Sequence, residues 1–274
     1  MSLWDAMGLA NKRVLILHHD DLGITHAQNQ AYLSLKRPSG SVMAPSAWAT
    51  GLVGIAGADL GVHVTLTSEW AAPRLRPIST APSLRDSAGF FWPTLNQAWG
   101  HIDANEAAIE IGAQIEAVRR MGIEPTHLDA HMGVVFRPDI AARFIALATE
   151  LGMPVAAASN LDELPVPEEF KSLLTDMRER ADLPRIEIID SYEAPTTSRR
   201  EWYVDRLSRL GPGVYHVLHH AQKDTEEGRQ LGDWEKRLAD LQALSDPVVM
   251  TVLDEFVPLT YAEIGYAMRH YGEG

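Results

Sequence analysis

The 274-residue chain contains no cysteine. Disulfides, thiolate nucleophiles and cysteine-based zinc sites are therefore excluded, and any transition metal must be held by His, Asp or Glu. No apolar run approaches the roughly 18 residues needed to cross a bilayer. Positive charge is scarce: 24 Lys and Arg stand against 37 Asp and Glu, a formal charge of −13. Such a chain repels phosphate backbones and anionic membranes, so nucleic acid is not an expected partner. Residues 1–11 include Asp5 and lack a basic segment leading into an apolar core, so a secretory signal is not expected and a cytoplasmic location is the default reading. Three catalytic signatures are also missing. No Gly-x-Gly-x-x-Gly follows the first strand, and neither Gly-x-Ser-x-Gly nor His-Glu-x-x-His occurs, so dinucleotide sites, serine hydrolases and ordinary zinc proteases lack support.

What is present is the material of an α/β domain. Hydrophobic residues make up 46% and charged residues 22%, enough apolar side chains for a core. Apolar runs at 14–18, 41–47, 60–66, 127–130, 154–158, 186–190 and 214–219 predict seven strands, several of them nearly continuous in Val, Ile or Leu, as suits parallel strands covered on both faces. Helical spacing predicts helices from near Thr25, from Asp103 with Glu106 in capping-box position, through Ile140–Phe144–Leu147–Leu151, over 199–210 and 231–244, and from Tyr261 to about His270. Seven strands without an internal break predict a barrel and one domain over 1–274; an open doubly wound sheet is the structural alternative. Residues 67–100 and 160–169 are loop-rich, and loops of such length commonly form lids or binding walls.

The chemistry concentrates at strand ends. Of eleven histidines, eight (His18, His19, His63, His127, His131, His216, His219 and His220) lie within or just after four strand candidates. In a parallel α/β barrel the C-terminal strand ends share one rim, which carries the active site. Asp20 and Asp21 close the first strand; they can share a site only if the chain bends, which Gly23 permits, and Asp21 or Thr25 is equally placed to cap the next helix. His63 alone, in an apolar strand, reads more readily as a satisfied core histidine than as a ligand. Alternation puts His127, Asp129 and His131 on one face, a metal or proton-relay pattern. An Asp and two His around an open-sided divalent ion would acidify water and polarise a carbonyl, with a second carboxylate as base and an opposing histidine as acid. These are the parts of a metal-dependent amide or ester hydrolase, although a non-haem iron oxygenase uses the same ligand set.

The same residues resemble the YdjC-like carbohydrate deacetylases, the chitooligosaccharide or hopanoid-associated deacetylase family. His19-Asp20-Asp21-Leu22-Gly23 is similar to its Ala-Asp-Asp-Phe-Gly, Gly61-Val62-His63-Val64-Thr65-Leu66 to its Gly-x-His-x-x-Leu, and Pro125-Thr126-His127-Leu128-Asp129-Ala130-His131 to its Pro-Thr-His-Leu-Asp-Ser-His. Asn29, Gly40-Ser41-Val42, His219-His220-Ala221 and Leu259-Thr260-Tyr261 extend the likeness over nearly the whole chain. The resemblance implies a distorted, seven-stranded (β/α) barrel of the polysaccharide-deacetylase type that removes acetyl groups from N-acetylated sugars. It implies Asp20 as general base, Asp21, His63 and His131 as metal ligands, His219 as acid or transition-state stabiliser, and His127, Asp129 and Asn29 as supporting or substrate-binding residues. The ion would be zinc or magnesium, with manganese, nickel or iron as alternatives, and a homodimer is a common assembly for such enzymes. Other amides, esters or phosphoesters, or ligand binding without turnover, are the competing functions. The chain departs from the family after His131, where Met132-Gly133-Val134-Val135 replaces a histidine-rich run, and at His220, where the family has proline.

Overall fold

The computed structural model describes residues 2–36 and 38–271. Six parallel strands, β1 (Arg13–Leu22), β2 (Ser39–Val42), β3 (Asp59–Val64), β4 (Leu128–Ala130), β5 (Glu187–Asp190) and β6 (Gly213–His219), lie in the order β4-β3-β2-β1-β6-β5. A short strand, β7 (Val257–Pro258), pairs beside the start of β1 and was not foreseen. The expected strand at 154–158 is instead two isolated bridges, Val155 to Leu128 and Ala158 to Ile186. Pro154 has no N–H to give a ladder, and the segment changes partner within four residues. Its carbonyl and amide groups nevertheless reach both edges: Leu128 N donates to Pro154 O (3.0 Å) and Ser159 N to Ile186 O (2.8 Å). The two outer strands are thereby joined, and the sheet curls into a distorted α/β barrel.

Helices α1 (Leu3–Ala6), α2 (His26–Ser34), α3 (Leu95–His101), α4 (Ala104–Met121), α5 (Pro138–Glu150), α6 (Glu168–Arg180), α7 (Arg199–Ser208), α8 (Trp234–Leu244), α9 (Pro247–Leu253) and α10 (Tyr261–Tyr271) accompany it. Asp103 caps α4 by accepting from Asn105 N and Glu106 N, while Ile111, Ile115 and Val118 turn its apolar stripe onto the core. The capping box is not completed, because Glu106 accepts from Ser83 N (2.8 Å) instead. Helices α3, α6 and α9 lie in stretches read as loop or left unassigned. The prolines that suggest breaks there sit at helix starts, where a missing N–H costs nothing: Pro167 precedes α6 and Pro247 opens α9. Among the described residues no helix is long and apolar enough to cross a membrane.

Candidate metal centre

The site begins where β1 ends. Asp21 adopts φ +62°, and the register with β2 shifts between His19 and Leu22. This left-handed turn costs a non-glycine residue ~1–3 kcal/mol, and it brings two successive carboxylates toward one side. Gly23 continues the bend at φ +95°, where a Cβ would meet Ser46 Oγ at 2.5 Å. Asn29 braces it: Oδ1 accepts from Gly23 N and Nδ2 donates to Trp48 O, both at 2.9 Å. Thr25 Oγ1 accepts from Gln28 N (3.1 Å) and so caps α2, which leaves Asp21 free of that duty.

Asp21 Oδ1 lies 2.8 Å from His131 Nδ1 and 3.2 Å from His63 Nε2, and all three residues are buried. Neither contact has the direction of a hydrogen bond, so this buried oxygen has no hydrogen-bond partner among the described residues. A buried carboxylate oxygen without a hydrogen bond, with two imidazole nitrogens within 3.2 Å of it, fits a shared cation, and the set of two imidazoles and one carboxylate suits a divalent ion. The other nitrogen of each ring is held by a carboxylate. His63 Nδ1 donates to Asp129 Oδ1 (2.9 Å), and His131 Nε2 donates to Glu69 Oε1 (2.5 Å). Such partners fix the ring orientation and turn the remaining lone pair toward the ion. Asp21 Oδ2 accepts from the buried Arg237 (2.9 Å), whose Nε donates to Asp233 (2.8 Å).

Burial opposes every charge here, and specific partners decide the outcome. For Asp21 burial acts upward, but His131 and Arg237 outweigh it and hold the carboxyl well below the usual range. For His131 burial acts downward, but Glu69 and Asp21 carry it up to about 9. Asp20, beside the trio, is pushed up to about 7 by burial against the pull of His63 and His18, and its Oδ1 also has no hydrogen bond.

Asp20, Asp21, His63, Asp129 and His131 are thus gathered in one cluster. His127 lies deeper in the barrel, stacked on Tyr261 with ring centroids 4.0 Å apart and edge-on to His18. Gly61 makes room for it, since a Cβ there would come within 2.5 Å of the ring. Asn29 sits behind the bend. His219 is not brought to the cluster: its ring packs at 4.5 Å on His19, and its Nδ1 accepts from Ala221 N. The pleat sends residues 216 and 220 to the side opposite 219, and His220 Nε2 lies 3.8 Å from Asp21 Oδ2. Two members of the site, Glu69 and Arg237, carry no sequence signal beyond the position of Glu69 in the long loop after β3.

A parallel barrel with this rim cluster defines a class. Residues 14–255 match the YdjC-like protein family, and the chain belongs to that family. A carbohydrate deacetylase from Thermus thermophilus is 46% identical over 98% of this chain and 100% of its own length. A carbohydrate deacetylase from Enterococcus faecalis is 29% identical over 90% of this chain and 95% of its own. A chitooligosaccharide deacetylase from Yersinia pestis is 30% identical over 53% of this chain and 59% of its own. A crystal structure of an Enterococcus faecalis protein superposes with TM-score 0.75 at 21% identity, covering 92% of this chain and 99% of the other, which shows a common fold.

Proposed function

We propose that this protein is a divalent-metal-dependent carbohydrate deacetylase that hydrolyses the acetamido group of an N-acetylated sugar. The observation that carries the reading is the convergence of Asp21 Oδ1, His63 Nε2 and His131 Nδ1, with Asp20 beside them. The 46%-identical Thermus carbohydrate deacetylase supports the same substrate class. Asp21, His63 and His131 would hold the ion, zinc or magnesium, which supplies Lewis-acid polarisation of the amide carbonyl and a more acidic water. Asp20 takes the proton of the water that adds to the acetyl carbon. The C–N bond then breaks, the nitrogen takes a proton, and acetate and the free amino sugar leave. His219, the acid implied by the resemblance, is turned away; His220 is the imidazole that faces this side of the centre. Asp129 and Glu69 keep the two ligand rings oriented, and Arg237 balances the charge of Asp21.

The test is acetate release by metal-loaded protein from a panel of N-acetylated sugars and of simple acetyl esters. Release from the sugars is expected, with a loss of about 10²–10⁴-fold in kcat for Asp20→Asn and metal still bound. Release from esters alone, or undiminished turnover in Asp20→Asn, contradicts the reading.

A further inference from the structure

His18 lies on the face of β1 that looks into the barrel, and its ring is fully buried. Its Nδ1 is 3.1 Å from Ser39 Oγ, and Ser39 Oγ is 2.7 Å from Asp59 Oδ2. Asp59 also accepts from Tyr261 N (2.8 Å) and Ala262 N (3.0 Å) at the start of α10. A carboxylate only accepts, so the single hydroxyl proton of Ser39 goes to Asp59, and Ser39 Oγ accepts from His18. The ring is thereby anchored, through its Nδ1–H, to a helix at the far end of the barrel.

The other nitrogen points back to the site. His18 Nε2 donates to Asp129 Oδ2 (2.9 Å), a carboxylate that only accepts, and lies 3.3 Å from Asp20 Oδ1. Asp129 is the carboxylate that orients His63. Asp20 Oδ1 makes no hydrogen bond among the described residues, and His18 Nε2 is the imidazole nitrogen that stands within 4 Å of it. One imidazole therefore stands between the group that aligns a metal ligand and the group that would accept the proton of water.

We propose that His18 is a positioning residue, which sets the Asp20 carboxylate in place relative to the Asp129–His63 pair. The proposal rests on the reading of Asp20 as the base. Misplacement of a reacting group by about 1 Å costs on the order of a hundredfold in rate, which is the scale expected here.

The test compares His18→Ala with His18→Gln in the full chain. The Gln amide nitrogen can take the place of Nε2, whereas Ala leaves nothing there. Each variant is measured by steady-state kinetics on the best acetylated sugar, by zinc titration and by crystallography. In His18→Ala, kcat should fall about a hundredfold with KM within about threefold, and the Asp20 side chain should rotate from its place. His18→Gln should recover most of kcat and return Asp20 to its place, a rescue that mere loss of packing does not give. Unchanged kcat in His18→Ala, an unmoved Asp20 in its crystal structure, or a Gln variant as slow as Ala overturns the proposal. If the wild-type protein releases no acetate from any sugar, the deacetylase reading falls alone. The position of Asp20 in the His18→Ala and His18→Gln structures then still decides for or against His18.

Discussion

His18 and His19 are neighbours in the chain and opposites in the fold. His18 faces inward, where Ser39, Ser41, Asp20 and Asp129 surround its two nitrogens. His19 faces the other way, against His219 and toward Tyr32 of α2, and neither of its nitrogens has a hydrogen-bond partner among the described residues. Burial, with His220 and His18 nearby, holds His19 well below the ordinary imidazole range, and burial with His19 and His220 does the same for His219. Burial thus keeps the outer pair neutral, while on the inner side Asp21, Asp129, His63 and His131 hold their charges because each has a counter-charge. A strand rich in histidine is not a site along its whole length; the pleat sorts it, and partners on other strands decide which half works.

Four experiments would break or sharpen this contrast. The largest effect is expected on the inner face: Asp21→Ala should abolish stoichiometric metal binding and lower kcat/KM by about a thousandfold or more, the several kcal/mol that a ligated ion supplies. Elemental analysis and acetate assays read both. Next come the carboxylates behind the rings. Asp129→Asn and Glu69→Gln should each weaken metal affinity by about 10–100-fold in competition titrations, whereas equal affinity would reduce those contacts to packing.

The third is pH dependence. Without metal, Glu69 and Asp21 carry His131 up to about 9 against burial, and Asp129 and Asp20 raise His63 well above the ordinary imidazole range against burial, so at neutral pH both rings carry a proton that the ion must displace. Affinity should fall as pH drops, by up to about tenfold per pH unit for each ring that is protonated. Calorimetry in buffers of different ionisation enthalpy should show release of about two protons per ion at neutral pH; no release removes both histidines from the coordination set. The smallest effect belongs to the outer pair. His219→Leu should shift stability by no more than about 1.5 kcal/mol in urea unfolding and leave kcat within about tenfold, because the ring is already neutral and buried. A loss as large as that of Asp20→Asn would return His219 to the catalytic centre.

The barrel was legible because parallel strands covered on both faces read as predominantly apolar runs, and 14–18, 60–66 and 214–219 come close to this apart from the histidines and small polar residues they carry. The segment 154–158 was legible as sheet material but not as a bridge that changes partner, since that depends on where two distant edges come to lie. That Asp21, His63 and His131 come together was legible from strand-end placement, family motifs and the alternation of His127, Asp129 and His131. Which of His219 and His220 turns inward was not, because parity within a strand says only that the two differ. Glu69 and Arg237 were illegible for a related reason: one acid in a loop and one arginine on a helix acquire meaning only when the fold carries them to His131 and Asp21.

The most direct test is an anomalous-diffraction map of a crystal soaked with zinc. The structure predicts one strong peak within about 2.0–2.2 Å of Asp21 Oδ1, His63 Nε2 and His131 Nδ1 together. A zinc-loaded crystal with its peak elsewhere, or with these three groups closed on one another around no ion, would contradict the shared cation on which the deacetylase reading stands.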